Sequence, residues 1–134
     1  MPVKVQPQAC IILSLSKREI QKILDRVLSF IGLEDMNLDL VLTEDKEIAA
    51  LNQSFMGCTG PTNVLSFPVD SEEGSIVVSA EAVDREALLY GQPVQEHFLR
   101  LLSHGVLHLA GFEHGIIMDE LIEQAVVKLS NPEY

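Results

Sequence analysis

The sequence predicts an α+β fold, with a small mixed β-sheet of about four strands covered by about five helices. Segments with strand character alternate with helical ones in the first two thirds of the chain, and three helical segments follow one another at its end. The chain has 134 residues, 47% of them hydrophobic, which is enough for one domain over 1–134 with its own core.

The first half of the chain alternates between strands and helices. Prolines beside the first strand place it at an edge of the sheet. Ser16 and Glu19 have the spacing of a capping box at the start of the first helix, and Gly32 ends that helix. Thr43 is expected to cap the second helix. The predicted elements are a strand over 3–8, a helix over 17–30, a strand over 37–43 and a helix over 44–54.

The second half begins with a glycine-rich loop over 55–63 and ends in helices. The predicted elements are strands over 64–69 and 74–79, and helices over 80–90, 93–110 and 118–129. In the longest helix the apolar residues recur at helical period and form one face, made of Val94, Phe98, Leu101, Leu102, Gly105 and Leu109. His104 and His108 lie on the flank of that face, so their side chains should reach the rim of the core.

Three of the four histidines fall within one short stretch, as His104, His108 and His114. Side chains four residues apart on a helix project from the same face. Gly111 can leave the helix through a left-handed conformation, which allows the chain to bring the third histidine back. Three imidazoles leave one position of a tetrahedral ion open to water, as in catalytic zinc sites. The spacing predicts one Zn²⁺ per chain, and nickel, cobalt and copper also suit such ligands.

A structural zinc site is the main alternative to a catalytic one for the three histidines. A structural zinc site normally fills all four positions, often with cysteine, and no cysteine lies in this stretch. Cys58 lies in the loop over 55–63 and could be an auxiliary thiolate ligand, although a plain loop thiol is favoured. His97 is expected to be an ordinary exposed histidine rather than a distant substrate contact.

The spacing H-x3-H-x2-G-x2-H matches the longer zincin pattern at every ligand and at the glycine, so the helix is zincin-like. Zincin proteases carry a glutamate directly after the first histidine as the general base, and this chain has Gly105 there. Glu113 is the only carboxylate within the motif. A peptidase is therefore disfavoured.

The charge of the chain is strongly acidic, with a formal net charge of −11. Such a charge repels a polyphosphate at long range, although a bound divalent ion adds positive charge locally. Arg18, Lys22 and Arg26 line one face of the first long helix, and a solvated face is favoured over an RNA or ribosome contact. The sequence contains no run of eighteen apolar residues, so no membrane span is predicted. Its two cysteines lie far apart in the sequence, which fits a reducing cytoplasm.

The segment from His104 to His114 resembles the histidine motif of the YbeY family of bacterial endoribonucleases and rRNA maturation factors. A second segment, Pro61-Thr62-Asn63-Val64-Leu65-Ser66-Phe67-Pro68, is similar to the other marker segment of that family. The resemblance extends from about Asp39 to Glu123.

This resemblance implies a zinc-dependent, single-strand-specific endoribonuclease of the cytoplasm that acts in rRNA processing and maturation and in ribosome quality control. It also implies contacts with rRNA and the small ribosomal subunit, with a small-subunit ribosomal protein and with an Era-type GTPase. The catalytic residues stay unassigned beyond a water on the zinc ion. If the family layout holds, Thr62, Asn63 and Ser66 line the site.

The chain departs from the family pattern at several charged positions. Met56 stands where the family has a basic residue, and Ser75 stands where it tends to have aspartate. Arg100 and Lys46 are candidate substitutes for binding the substrate phosphate. These departures motivate a second hypothesis, a ribosome-assembly adaptor that keeps the metal site with weak or no nuclease activity. A different metal-dependent hydrolase is the third.

Overall fold

The computed structural model describes residues 3–5, 7–60, 62–70 and 72–130, which form six helices and a mixed sheet. The predicted α+β class is confirmed. The elements in chain order are β1 (Val3–Val5), α1 (Pro7–Leu13), α2 (Lys17–Ile31), β2 (Asn37–Thr43), α3 (Asp45–Met56), β3 (Val64–Pro68), β4 (Glu73–Ser79), α4 (Ala80–Tyr90), α5 (Val94–Leu109) and α6 (Ile116–Leu129).

The sheet has the strand order β1-β2-β4-β3 in the described residues. Strands β1, β2 and β4 are parallel to one another, whereas β3 runs antiparallel to β4 with Ser66 opposite Ile76. Strand β3 therefore forms one edge of the sheet and β1 the other. The edge position of β1 agrees with the prediction from its neighbouring prolines, and Pro68 lies at the end of the opposite edge strand.

The two faces of the sheet are buried unequally because the strands alternate their side chains. On one face, α2, α5 and α6 pack together in the main core, to which β2 contributes Leu38, Leu40 and Leu42. On the other face, Ile48 of α3 packs against Leu65 and Val77 in a smaller cluster. The main core therefore lies on the face of the sheet that α5 covers.

Helix α2 begins with the predicted capping box and ends at the predicted glycine. The Ser16 side chain accepts a hydrogen bond from the Glu19 backbone N–H, and the Glu19 carboxylate accepts one from the Ser16 N–H, both at 3.1 Å. Gly32 follows the helix in the left-handed conformation, at φ +87°. The termination of α4 before Gly91 also agrees with the prediction.

Two predictions for the first half of the chain were wrong in detail. The first strand ends at Val5, and Pro7 begins a helix that the sequence analysis missed; proline is well tolerated in the first turn of a helix. Thr43 does not cap α3, because it still pairs within β2 opposite Ser79. Instead, the backbone N–H of Asp45 donates to the Glu81 carboxylate at 2.8 Å, so α4 helps to satisfy the start of α3.

The predicted single apolar face of α5 was too narrow. Its buried residues lie around most of the helix circumference, because α5 contacts β3, β4, α2, α4 and α6. They are His97, Phe98, Leu99, Leu101, Leu102, Ser103, Gly105, Val106 and Leu107. Within the described part of the chain, no helix combines the length and the apolar character needed to cross a bilayer.

Candidate metal centre

The close contact between α5 and the sheet depends on a glycine. A Cβ atom on Gly105 would lie only 3.2 Å from the Ser66 Oγ and the Val64 Cγ2 and 3.3 Å from the Ile76 Cδ1. Ser66 reinforces this contact, since its hydroxyl donates a hydrogen bond to the Gly105 carbonyl at 3.0 Å. A side chain at position 105 would be directed into the sheet. Any side chain there, including the glutamate of a zincin protease, would force these neighbours to shift by a few tenths of an ångström.

The end of α5 turns the chain back toward the helix. The Phe112 N–H bonds to the Leu107 carbonyl at 3.1 Å and the Gly111 N–H to the His108 carbonyl at 3.0 Å, the pattern of a Schellman motif. Gly111 has φ +95°, a left-handed conformation that favours glycine. The predicted break at this glycine is confirmed, and the short segment after it brings His114 next to the helix.

The three histidines converge as their spacing predicts. Ligand nitrogens of His104, His108 and His114 all lie within 4.8 Å of one another, and the ring centroids are 4.6 to 4.9 Å apart. The Nε2 atoms of His104 and His108 are 2.9 Å apart. Two nitrogens on one tetrahedral zinc ion would be separated by about 3.3 Å, so a small rotation of the rings accommodates an ion. The triad is able to hold a divalent metal.

The lowered pKa of His104 favours metal binding. Burial lowers the pKa of His104 below its ordinary value of 6.5, and repulsion from His108 and His114 lowers it further, while Asp119 acts in the opposite direction. His104 and His108 are half-buried, whereas His114 is exposed. A metal ligand must be a neutral imidazole, so a lowered pKa keeps His104 competent at neutral pH.

The triad lies in a cleft of about 490 Å³ along the edge strand β3. Thr62, Asn63 and Ser66 line this cleft together with Met56 and the three histidines. Apart from the three histidines, none of the described lining residues is acidic or basic. The wall of the cleft is thus neutral, in contrast to the acidic chain as a whole.

Two candidate substrate residues do not lie in the cleft. Arg100 forms a bidentate ion pair with Glu123, at 2.8 and 2.9 Å, and a further hydrogen bond to Gln92. These hydrogen bonds lower the pKa of the Glu123 carboxyl and hold the guanidinium between α5 and α6. Lys46 is exposed on α3 and does not line the cleft. The structure gives neither residue a place beside the histidines.

Cys58 does not join the three histidines. The exposed Sγ lies 3.6 Å from the Met56 carbonyl, and the thiol is not part of the metal-ligand cluster in the described residues. The favoured interpretation as a loop thiol therefore fits the structure better than an auxiliary ligand.

The expectation of an exposed His97 was wrong. This side chain is buried against α4, with Nε2 2.8 Å from the Glu86 carboxylate and its ring 5.8 Å from that of Tyr90. Glu86 also accepts a hydrogen bond from Asn63. Glu86 has no local sequence signal, because its partners lie 11 and 23 residues away and only the packing of the elements brings them together.

The class that the fold and the site define is an α+β protein with three convergent imidazoles in an open cleft, a site that is able to hold a metal ion. A family model described as endoribonuclease YbeY matches residues 6–128. The chain belongs to the YbeY endoribonuclease family.

Individual relatives agree with this assignment. An endoribonuclease YbeY of Lawsonia intracellularis is 46% identical over 110 residues, which cover 81% of this chain and 81% of that protein. The endoribonuclease YbeY of Oleidesulfovibrio alaskensis is 41% identical over 135 residues, covering 81% of this chain and 80% of the relative. The solution structure of a Thermotoga maritima protein aligns with a TM-score of 0.67 and 27% identity, over 97% of this chain and 93% of that one.

Removing one imidazole should abolish stoichiometric metal binding. We expect about one ion per chain in the native protein and less than about a tenth of that in His104→Ala or His108→Ala, because two ligands hold zinc far more weakly than three. Elemental analysis of the purified proteins by mass spectrometry measures this. Cys58→Ser and His97→Gln are controls and should keep the ion; loss of the ion in either would contradict the assigned ligand set.

The metal-free protein should lose stability as the pH falls from 7.5 to 5.5. The pKa of His104 is lowered in the folded state, so the unfolded chain binds more protons once the pH drops below about 6.5. Urea unfolding in the presence of a chelator, repeated across this range, measures the loss. In His104→Gln the loss should be smaller, and an equal loss in both proteins would show that His104 does not contribute.

Proposed function

We propose that this protein is a zinc-dependent, single-strand-specific endoribonuclease that acts in rRNA processing and maturation and in ribosome quality control. The observation that carries the proposal is the convergence of His104, His108 and His114 in an open, neutral cleft of a YbeY-family chain. The relatives quoted above are themselves named endoribonuclease YbeY.

The three histidines would hold the ion and leave one side of it facing the cleft. A divalent ion held there would supply positive charge for a phosphoryl oxygen and would lower the pKa of a nearby water molecule. Gly105 and Ser66 keep α5 close to β3, which fixes two of the three imidazoles against the cleft wall. Rigid placement of this kind limits the reorganisation needed during reaction.

The charge distribution supports an anionic substrate in spite of the net charge of −11. No carboxylate lies among the described lining residues, so a phosphate that enters the cleft meets no acidic side chain there. Positive charge in the cleft would come from the ion itself, because Met56 occupies the wall where the family pattern has a basic residue. Phosphate binding should therefore depend strongly on the bound metal.

The shape of the cleft supports a single strand as the substrate. The cleft has a volume of about 490 Å³ and lies along an edge strand, a size that suits a nucleotide rather than a duplex. Single-stranded RNA can splay its bases and bring its backbone to such a site.

Zinc is proposed as the physiological ion, because a set of three imidazoles with an open position is typical of catalytic zinc. We also propose the cytoplasm as the place of action. The proposed partners are rRNA in the small ribosomal subunit, a small-subunit ribosomal protein and an Era-type GTPase. Membership of the YbeY family supports these proposed partners.

The metal-loaded protein should cleave single-stranded regions of rRNA. We expect His108→Ala to reduce cleavage by at least about a hundredfold, since metal-assisted charge stabilisation contributes several kcal/mol to such reactions. The rate of product formation on a denaturing gel measures this. Duplex RNA of the same sequence is the substrate control. Equal cleavage by the native protein and His108→Ala would point to a contaminating nuclease and contradict the proposal.

A second candidate is a ribosome-assembly adaptor that keeps the metal site but has little nuclease activity. The observation that favours it is Met56, an apolar side chain that lines the cleft and is 48% exposed. An adaptor would bind the small ribosomal subunit without the need for cleavage.

Restoring a cation at this position separates the two candidates. If the missing charge limits cleavage, Met56→Arg should raise the rate about tenfold or more, because the guanidinium would pair with the substrate phosphate. Gln53→Arg adds the same charge to an exposed position of α3 outside the cleft and is the matched control. Strong cleavage by the native protein that neither variant changes would remove the case for the adaptor.

A further inference from the structure

A partly buried polar network, in which His97 is buried and Glu86 and Asn63 are half-buried, adjoins the wall of the cleft. The Glu86 carboxylate of α4 accepts a hydrogen bond from the side-chain amide of Asn63, with nitrogen-to-oxygen distances of 3.2 and 3.3 Å. Glu86 also contacts the Nε2 of His97 on α5 at 2.8 Å. These three residues connect the interior between α4 and α5 to the cleft, since Asn63 is one of the residues that line it.

Glu86 determines which way the Asn63 amide points. An ionised carboxylate can only accept hydrogen bonds, so the amide nitrogen of Asn63 must face it and the carbonyl oxygen must face the other way. The backbone of Asn63 is held as well, because its carbonyl accepts a hydrogen bond from the Ser79 N–H at 3.0 Å. Within the described residues, the Asn63 Oδ1 accepts no hydrogen bond. The side chain therefore offers a fixed acceptor oxygen.

His97 in turn holds Glu86. The His97 side chain is only 4% exposed, and its Nδ1 has no hydrogen-bond partner among the described residues. The contact to Glu86 is thus the one polar contact made by this ring in the described structure, and it requires the proton on Nε2. A buried donor gains from an ionised acceptor, so this pair keeps the carboxylate in position.

We propose that the Asn63 Oδ1 accepts a hydrogen bond from a ribose 2′-hydroxyl of the bound strand, with Glu86 and His97 as positioning residues. This inference rests on the proposed function, because it assumes that the cleft binds RNA. Phosphate oxygens are acceptors and cannot pair with the Oδ1, whereas the 2′-hydroxyl can donate. A phosphate held at the histidine triad brings its ribose next to it, into the cleft that Asn63 shares. The 2′-hydroxyl is also the group that distinguishes RNA from DNA.

A 2′-fluoro scan of single-stranded RNA tests the inference on the native, metal-loaded protein. Fluorine keeps the RNA-like sugar but cannot donate a hydrogen bond. We expect one 2′-fluoro position to weaken binding by about fivefold to tenfold, the effect of one net hydrogen bond, and the other positions to be nearly neutral. Fluorescence anisotropy measures the dissociation constants, and a gel after each titration verifies that the oligonucleotide is intact.

Variants of Asn63 and Glu86 test whether the 2′-fluoro effect depends on these residues. In Asn63→Ala, RNA should bind about fivefold to tenfold more weakly, and the sensitive 2′-fluoro position should have no additional effect. Glu86→Gln should also lose the discrimination, because an amide at this position allows the Asn63 amide to turn over. Asp84→Asn, an exposed neutralisation on the same helix, is the matched control and should keep it. Metal content and thermal unfolding of each variant verify that the fold is kept.

A polarity swap distinguishes positioning from a general structural role. In the Asn63→Asp/Glu86→Gln double variant, the new amide can donate to the new carboxylate, which leaves a second carboxylate oxygen as an acceptor in the cleft. We expect the 2′-fluoro sensitivity to return, with lower overall RNA affinity because the negative charge has moved toward the phosphate. A merely structural role for Glu86 predicts no such return.

The outcomes separate the inference from the function on which it rests. If all 2′-fluoro positions are tolerated while the native protein still cleaves rRNA, the inference is wrong and the nuclease proposal stands. Sensitivity to removal of a base amino group, in place of the 2′-hydroxyl, overturns the inference in favour of base recognition. If the protein neither binds nor cleaves single-stranded RNA, both fail together.

Discussion

The contact between α5 and the sheet at Gly105 is the constraint on which the rest of the site depends. The absence of a Cβ atom allows the helix to approach Val64, Ser66 and Ile76 closely, and the Ser66 hydroxyl then bonds to the carbonyl of the same glycine. This approach sets the height of the helix above the edge strand. His104 and His108 flank Gly105 on α5, so this contact helps to position two of the three histidines, while the turn at Gly111 brings in the third.

The net charge of the whole chain differs from the charge of the cleft wall. Twenty acidic residues against nine basic ones make the chain strongly negative, yet the described wall of the cleft carries neither kind. An ion bound to three neutral imidazoles brings its full positive charge, because the ligands do not neutralise it. The lowered pKa of His104 keeps that ligand neutral near physiological pH. If such an ion is bound, attraction of phosphate and occupancy by metal are linked.

The cleft has two layers of organisation. The three histidines form a layer that is able to hold a metal ion, and next to Asn63, another lining residue, Glu86 accepts a hydrogen bond from its amide and contacts His97. His97 is buried and Glu86 is half-buried, so removal of either partner would leave the other with an unmade hydrogen bond. The placement of this pair next to a lining residue suits it to control the direction of one acceptor group in the cleft.

Features that depend on residues within a few turns of one another could be predicted from the amino-acid sequence. The capping box at Ser16, the bounds of α4, and the convergence of the histidines around Gly111 all follow from helical geometry and from the conformational freedom of glycine. Fold class could also be predicted, because the order of strand and helix patterns limits the architecture.

Only the tertiary structure decided which polar side chains meet across the fold. His97 is buried because α4 packs over it, and Arg100 is unavailable to a substrate because α6 places Glu123 beside it. The partnership of Glu86 with Asn63 joins residues 23 positions apart. The periodicity of apolar residues in a helix indicates which face of that helix is buried. It does not indicate which residues of another element pack against that face. Contacts of this kind arise from the packing of whole elements, and for that reason a local pattern could not predict them.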